Sequence, residues 1–78
     1  MTLYTARKKA QQIGRLNNAI ARMEAAKDKR AQVAQRILRR LVVAVTQFCL
    51  EQGVDPYIFF ALELGMPEGD LRAEAAKD

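Results

Sequence analysis

The sequence predicts an all-α protein, and three observations predict it. One heptad register runs from Ala6 to Phe48 without a skip. Between Glu24 and Gln35 there is no Gly, no Pro and no turn dipeptide, only residues that tolerate or favour helix. Farther on, Gly53, Asp55 and Pro56 combine a helix stop with an immediate helix start.

With Ala6 at position a, the a series reads Ala6, Ile13, Ile20, Lys27, Ala34, Leu41, Phe48, and the d series Lys9, Leu16, Met23, Arg30, Ile37, Ala44. The seam is apolar except at Lys9 and around Lys27 and Arg30. Propensity therefore favours one long helix over about residues 5–52, a rod of nearly 70 Å at about 1.5 Å per residue. The competing arrangement is a helical hairpin, broken near Gly14 to Asn18 or near Ala26 to Arg30. The missing turn chemistry stands against the hairpin. Against the rod stands its need for a partner to cover the seam.

The C-terminal third reads more sharply. Gly53 ends the first helical region, Asp55 is an N-cap and Pro56 occupies the first helical position. A short helix over about 56–64 follows, closed by Gly65 and Pro67. Tyr57, Ile58, Phe59, Phe60, Leu62 and Leu64 leave it almost no polar face, so it is expected to be buried. Its natural cover is Leu38, Leu41, Val42, Val45 and Phe48. Residues 1–66 form one helical domain, and 67–78 an acidic, frayed tail with at most a short helix from Leu71 to Ala76.

A chain of 78 residues buries little of its own surface, and nothing in it acts as a staple. Cys49 is the single cysteine and His is absent, so neither a disulfide nor a recognised zinc spacing is available. A homodimer is the first expectation, joined through Ile37, Leu38, Leu41, Val45, Phe48, Ile58, Phe59 and Leu62. The longest apolar stretch, Leu41 to Val45, falls far below the roughly 20 residues that cross a bilayer. No secretion signal opens the chain. A soluble protein of a reducing cytoplasm, without membrane contact, is expected.

Catalysis is not expected. The chain lacks His, Ser and Trp, which removes the usual general base, the commonest nucleophilic hydroxyl and most triads. Cys49 lies in an apolar run, where a thiol is usually inert packing. No metal, cofactor or small-molecule substrate is implied.

Charge carries the functional expectation. Residues 1–40 hold eleven Lys or Arg against two acids, a net +9, whereas residues 41–78 carry net −5. Lys8, Arg15, Arg22, Lys29 and Arg36 recur every seventh residue, which on one helix makes a slowly drifting cationic stripe at position c. A solvated face usually mixes signs, but this one holds no acid, and unneutralised cations at such density repel one another unless an acidic partner is present. Phosphates fit, because a basic helix face can track a nucleic-acid backbone without reading sequence. Lys8, Arg15, Arg22, Lys29 and Arg36, assisted by Arg39 and Arg40, are the expected contacts, with DNA or RNA as the partner.

The alternative is a regulator, adaptor or assembly factor that docks on a larger protein through its basic or apolar surface. The spacing of Cys49, Gly53 and Asp55 also fits a helix-turn-helix corner. Its second helix, Tyr57 to Leu64, has no Lys, Arg, Asn or Gln to read base edges, so sequence-specific DNA reading is not expected.

Overall fold

The computed structural model describes the backbone of residues 1–76 and the side chains of residues 1–73. Within them the chain forms four helices and no strand: α1 (Leu3–Ala25), α2 (Arg30–Glu51), α3 (Pro56–Leu64) and α4 (Glu68–Ala76). Thr2 starts α1: its hydroxyl accepts the Thr5 N–H at 3.2 Å, satisfying one of the orphan donors of the first turn.

The single rod does not form. The chain reverses between Ala26 and Lys29, giving a hairpin of α1 and α2, and the longest dimension of the molecule is 39 Å. Of the two break points the sequence leaves open, the structure uses the one near Ala26 to Arg30, where Lys27 and Arg30 interrupt the apolar seam. The turn is built without glycine. Lys27 takes the left-handed conformation at φ 56°, its N–H bonds the Glu24 carbonyl, and the Asp28 N–H bonds the Met23 carbonyl. That bond pair is the Schellman closure, usually made around a glycine. Asp28, one residue before the Lys29 N-cap of α2, accepts the Arg30 N–H on its carboxylate at 2.9 Å and grips the Arg30 guanidinium from the side. The strained lysine is tolerated because the reversal covers the seam, which a lone rod would leave in water.

The second closure follows the sequence. Gly53 sits at φ 71°, the Val54 N–H reaches back to the Cys49 carbonyl, and the Asp55 carboxylate accepts the Tyr57 N–H at 2.9 Å to start α3. Gly65, at φ 67°, ends that helix. α4 begins at Glu68, three residues earlier than expected, and packs on α3.

The core gathers Ala6, Ala10 and Ile13 of α1, Val45, Phe48 and Cys49 of α2, and Phe59 of α3, with Leu38, Leu41, Val42 and Phe60 packed on its edge. Ala6 and Ala10 are fully buried in this cluster. Ile20, Ala31 and Ala34 continue the buried seam toward the turn. α3 is not buried all round. Phe59 enters the core and stacks edge-on against Phe60, while Ile58 is 46% and Leu62 79% exposed. A third helix laid across a two-helix hairpin has one covered side, and these residues lie on the other.

Candidate nucleic-acid interface and adjoining groove

The hairpin redistributes the cations. On α1 the buried face carries Ala6, Ala10, Ile13 and Ile20. At about 100° per residue, Lys8, Arg15 and Arg22 lie roughly half a turn away and point outward. On α2 the buried face carries Ala34, Val45, Phe48 and Cys49, and Arg36 lies opposite it by the same count. Since the two buried faces meet across the hairpin, the two outward faces diverge. The expected stripe of five is therefore a row of three on α1 and a separate exposed site on α2, with Lys29 in the turn between them. Arg39 and Arg40 stand near Arg36 and border a shallow depression with Val43, Ala44 and Gln47.

The acids are engaged elsewhere. Glu63 of α3 accepts the Arg7 Nε–H at 2.9 Å, tying α3 to the start of α1. Arg72 of α4 donates to Asp55 at 2.7 Å and to Glu68, and its guanidinium lies 4.6 Å from the centre of the Tyr57 ring. Asp28 holds Arg30. Among the described residues Lys8, Lys9, Arg15, Arg22, Lys27, Lys29, Arg36, Arg39 and Arg40 form no ion pair with a carboxylate, although the Lys8 ammonium lies 5.5 Å from the centre of the Tyr4 ring. Asp55, Glu63 and Glu68 of the acidic third thus bond Arg72 and Arg7, and none of the three pairs with the cationic row. Glu74 and Asp78, which the sequence counts among these acids, lie outside the described side chains.

These bonds also set the titration of Asp28 and of the α3 cap Asp55. The Arg30 guanidinium, and then the Arg30 N–H, hold the Asp28 carboxyl below its ordinary value. The Arg72 guanidinium, followed by the Tyr57 N–H, does the same for Asp55. Burial pushes the Cys49 thiol up, against the thiolate form. Among the described residues no cluster of His, Cys, Asp or Glu is placed to hold a metal ion. No helix among them is long and apolar enough to cross a membrane.

Of the residues expected to form an apolar interface or core, Val45, Phe48 and Phe59 are buried and Leu38 and Leu41 half-buried. Ile37, 48% exposed, joins Ile58 and Leu62 at the surface.

One feature is not apparent from periodicity. Where α3 ends, an open groove of about 610 Å³ lies between the hairpin and the α3–α4 connection. Ile13, Gly14, Asn17 and Asn18 of α1, Leu38 and Val42 of α2, Phe60 and Leu64 of α3, Met66, and Leu71 of α4 line it. Gly14 is the sequence signal for it: a glycine inside a helix often marks a close approach, and here it faces Leu64. Comparison with protein-family models, with curated proteins and with solved structures gave no match.

Proposed function

We propose that this chain is a small, non-enzymatic binding protein that docks its basic hairpin on the phosphate backbone of nucleic acid with weak sequence selectivity. The observation that supports this reading is the set of cations on α1, α2 and their turn that lack a carboxylate partner among the described residues, while Glu63, Asp28, Asp55 and Glu68 are taken by Arg7, Arg30 and Arg72. Lys8, Arg15 and Arg22 supply one row; Lys29, Arg36, Arg39 and Arg40 supply contacts at the turn and on the second face. Because the faces diverge, a single straight duplex meets one of them at a time. Each neutralised phosphate adds about −0.9 to the slope of log affinity against log salt on duplex DNA.

Charge reversal at Arg15, Arg22 and Lys29 tests the reading by fluorescence anisotropy on duplex and single-stranded oligonucleotides. A loss of affinity and a shallower salt slope are expected. Unchanged affinity for both would end it. Reversal of Arg36, Arg39 and Arg40 in a second variant assigns the preferred face.

A second reading, a regulator that binds a larger protein, is favoured by the apolar groove and by the exposed Ile37, Ile58 and Leu62. The same exposed residues support a homodimer, which sedimentation across a salt series tests. Survival of the dimer at high salt is expected from an apolar interface. The lone buried Cys49 suits a reducing, cytoplasmic setting. Pull-down from the native host with and without nuclease separates the two readings.

A further inference from the structure

We infer that the side of the α1–α2 hairpin turned away from α3 is a self-association surface, on which a second copy of this chain docks the same side to close a four-helix bundle. This inference deepens the homodimer reading and rests on it, not on the nucleic-acid one.

The hairpin is a layer of two helices with two broad sides. One side is occupied: Gly14 of α1 meets Leu64, and Leu38 and Val42 of α2 line the groove together with Phe60 and Leu64. Leu16 stands two residues from Gly14 and Ala44 two from Val42, about 200° around their helices, which puts both on the opposite side. Met23 and Ile37, one heptad from each, continue these rows toward the turn, and Val33 extends the second row. None of the five is buried: Val33 and Ile37 are exposed, and Leu16, Met23 and Ala44 half-buried. The reversal thus covers the a series and leaves the d series open, although a seam of both belongs at the centre of a bundle.

Charge, symmetry and area select a second copy as the occupant. The cations at Lys8, Arg15, Arg22 and Arg36 point outward, whereas the d and g positions from Thr5 to Glu51 hold only Lys9, Arg30, Arg40 and Glu51. Arg30 is held by Asp28. A chain of net charge +4 therefore meets itself with least repulsion on this side. A two-fold axis along the hairpin sets α1 of each copy antiparallel to α2 of the other and joins the open ends. Lys9 and Glu51, neither of which forms an ion pair among the described residues, are then brought toward each other across the interface. A face as long as the 23 residues of α1, about 35 Å, and two helices wide, about 20 Å, offers on the order of 700 Å². That approaches the roughly 800 Å² per partner of a standard stable interface.

Sedimentation equilibrium of the full chain, from low micromolar to millimolar concentration, tests the surface. A dimer is expected, weakened at least about tenfold by Leu16→Glu and by Ile37→Glu, each of which places an unpaired charge in the interface. Val33→Glu, at an exposed position, repeats the test where folding of the monomer is not at stake, with helix content followed by circular dichroism. Lys9→Glu and Glu51→Lys should each weaken association alone, and mixing the two variants should restore it, because only the mixed dimer regains both pairs. A monomer throughout would overturn this inference together with the homodimer reading. A dimer lost with Leu62→Glu but kept with Leu16→Glu, Ile37→Glu and Val33→Glu, or a mixture no tighter than its components, would overturn this arrangement and leave the homodimer standing.

Discussion

A Cβ placed on Gly14 would lie 2.9 Å from the Cδ2 methyl of Leu64, so α1 and α3 meet where a side chain is missing. The contact falls at the far end of a leucine that borders the open groove, and this leaves room for the methyl to rotate.

Gly14→Ala is accordingly expected to be nearly neutral. The gain of about 0.8–1.0 kcal/mol in helix propensity offsets the displaced methyl. Gly14→Leu has no such escape and should lower stability by about 1–3 kcal/mol through overpacking. Urea denaturation of the two variants checks the contrast.

Lys27→Gly should stabilise the protein by about 1 kcal/mol. The lysine holds φ at 56°, a conformation that disfavours any side chain, and its replacement leaves the two closing hydrogen bonds intact. A raised thermal midpoint with unchanged helix content is the expected result. A lowered midpoint would mean that the lysine side chain contributes more than its backbone strain takes away.

Phe59→Ala should cost about 3–5 kcal/mol, because the ring fills the junction of all three core helices. Leu62→Ala, three residues on but at the surface, should change the stability of a monomer by less than about 0.5 kcal/mol. A larger, concentration-dependent loss at Leu62 would reveal an interface there.

Arg72→Ala should free α4 selectively. Among the described residues that helix packs on α3, and Arg72 joins it to Asp55 and to the Tyr57 ring. Amides of 70–76 are expected to lose hydrogen-exchange protection while those of α1 and α2 keep theirs.

Acid should loosen both helix starts. Asp28 and Asp55 have folded-state values below the roughly 3.9 of an unfolded aspartate, so their stabilisation is present above about pH 4 and is lost as pH falls through the lower folded values. Asn at both positions should flatten the stability profile in that window. Cys49 acts at the other end: burial raises its value, so stability is complete below about pH 8.5 and declines as pH rises toward the folded value.

The elements differ in how far they were legible. Asp55, Pro56 and Gly65 fix α3 because caps are local: each satisfies backbone groups within a few residues of itself. The a-series residues Ala6, Ile13, Ile20, Ala34 and Phe48 are buried as the heptad predicts, since a helix presents the same face to a partner helix whether that partner is another chain or its own continuation. For the same reason the heptad cannot distinguish the two. The turn at Lys27 was legible only as one of two possible breaks, because its left-handed residue is not a glycine, and α4 only as a short helix from Leu71, because an acidic, small-residue segment gives little periodic signal. Within the cationic set, residue type and outward position were readable; the divergence of the two rows was not.

By itself the sequence determined helical class, the segregation of charge, the caps of α3 and the inward face of the a series at Ala6, Ile13, Ile20, Ala34 and Phe48, all of which depend on spacing of a few residues. Tertiary structure decided that the long amphipathic region doubles back, that the acids of α3 and α4 engage Arg7 and Arg72, and that Gly14 and Leu64 border a groove. Those outcomes arise from contacts between residues far apart in the chain, where burying the seam outweighs the strain of one lysine.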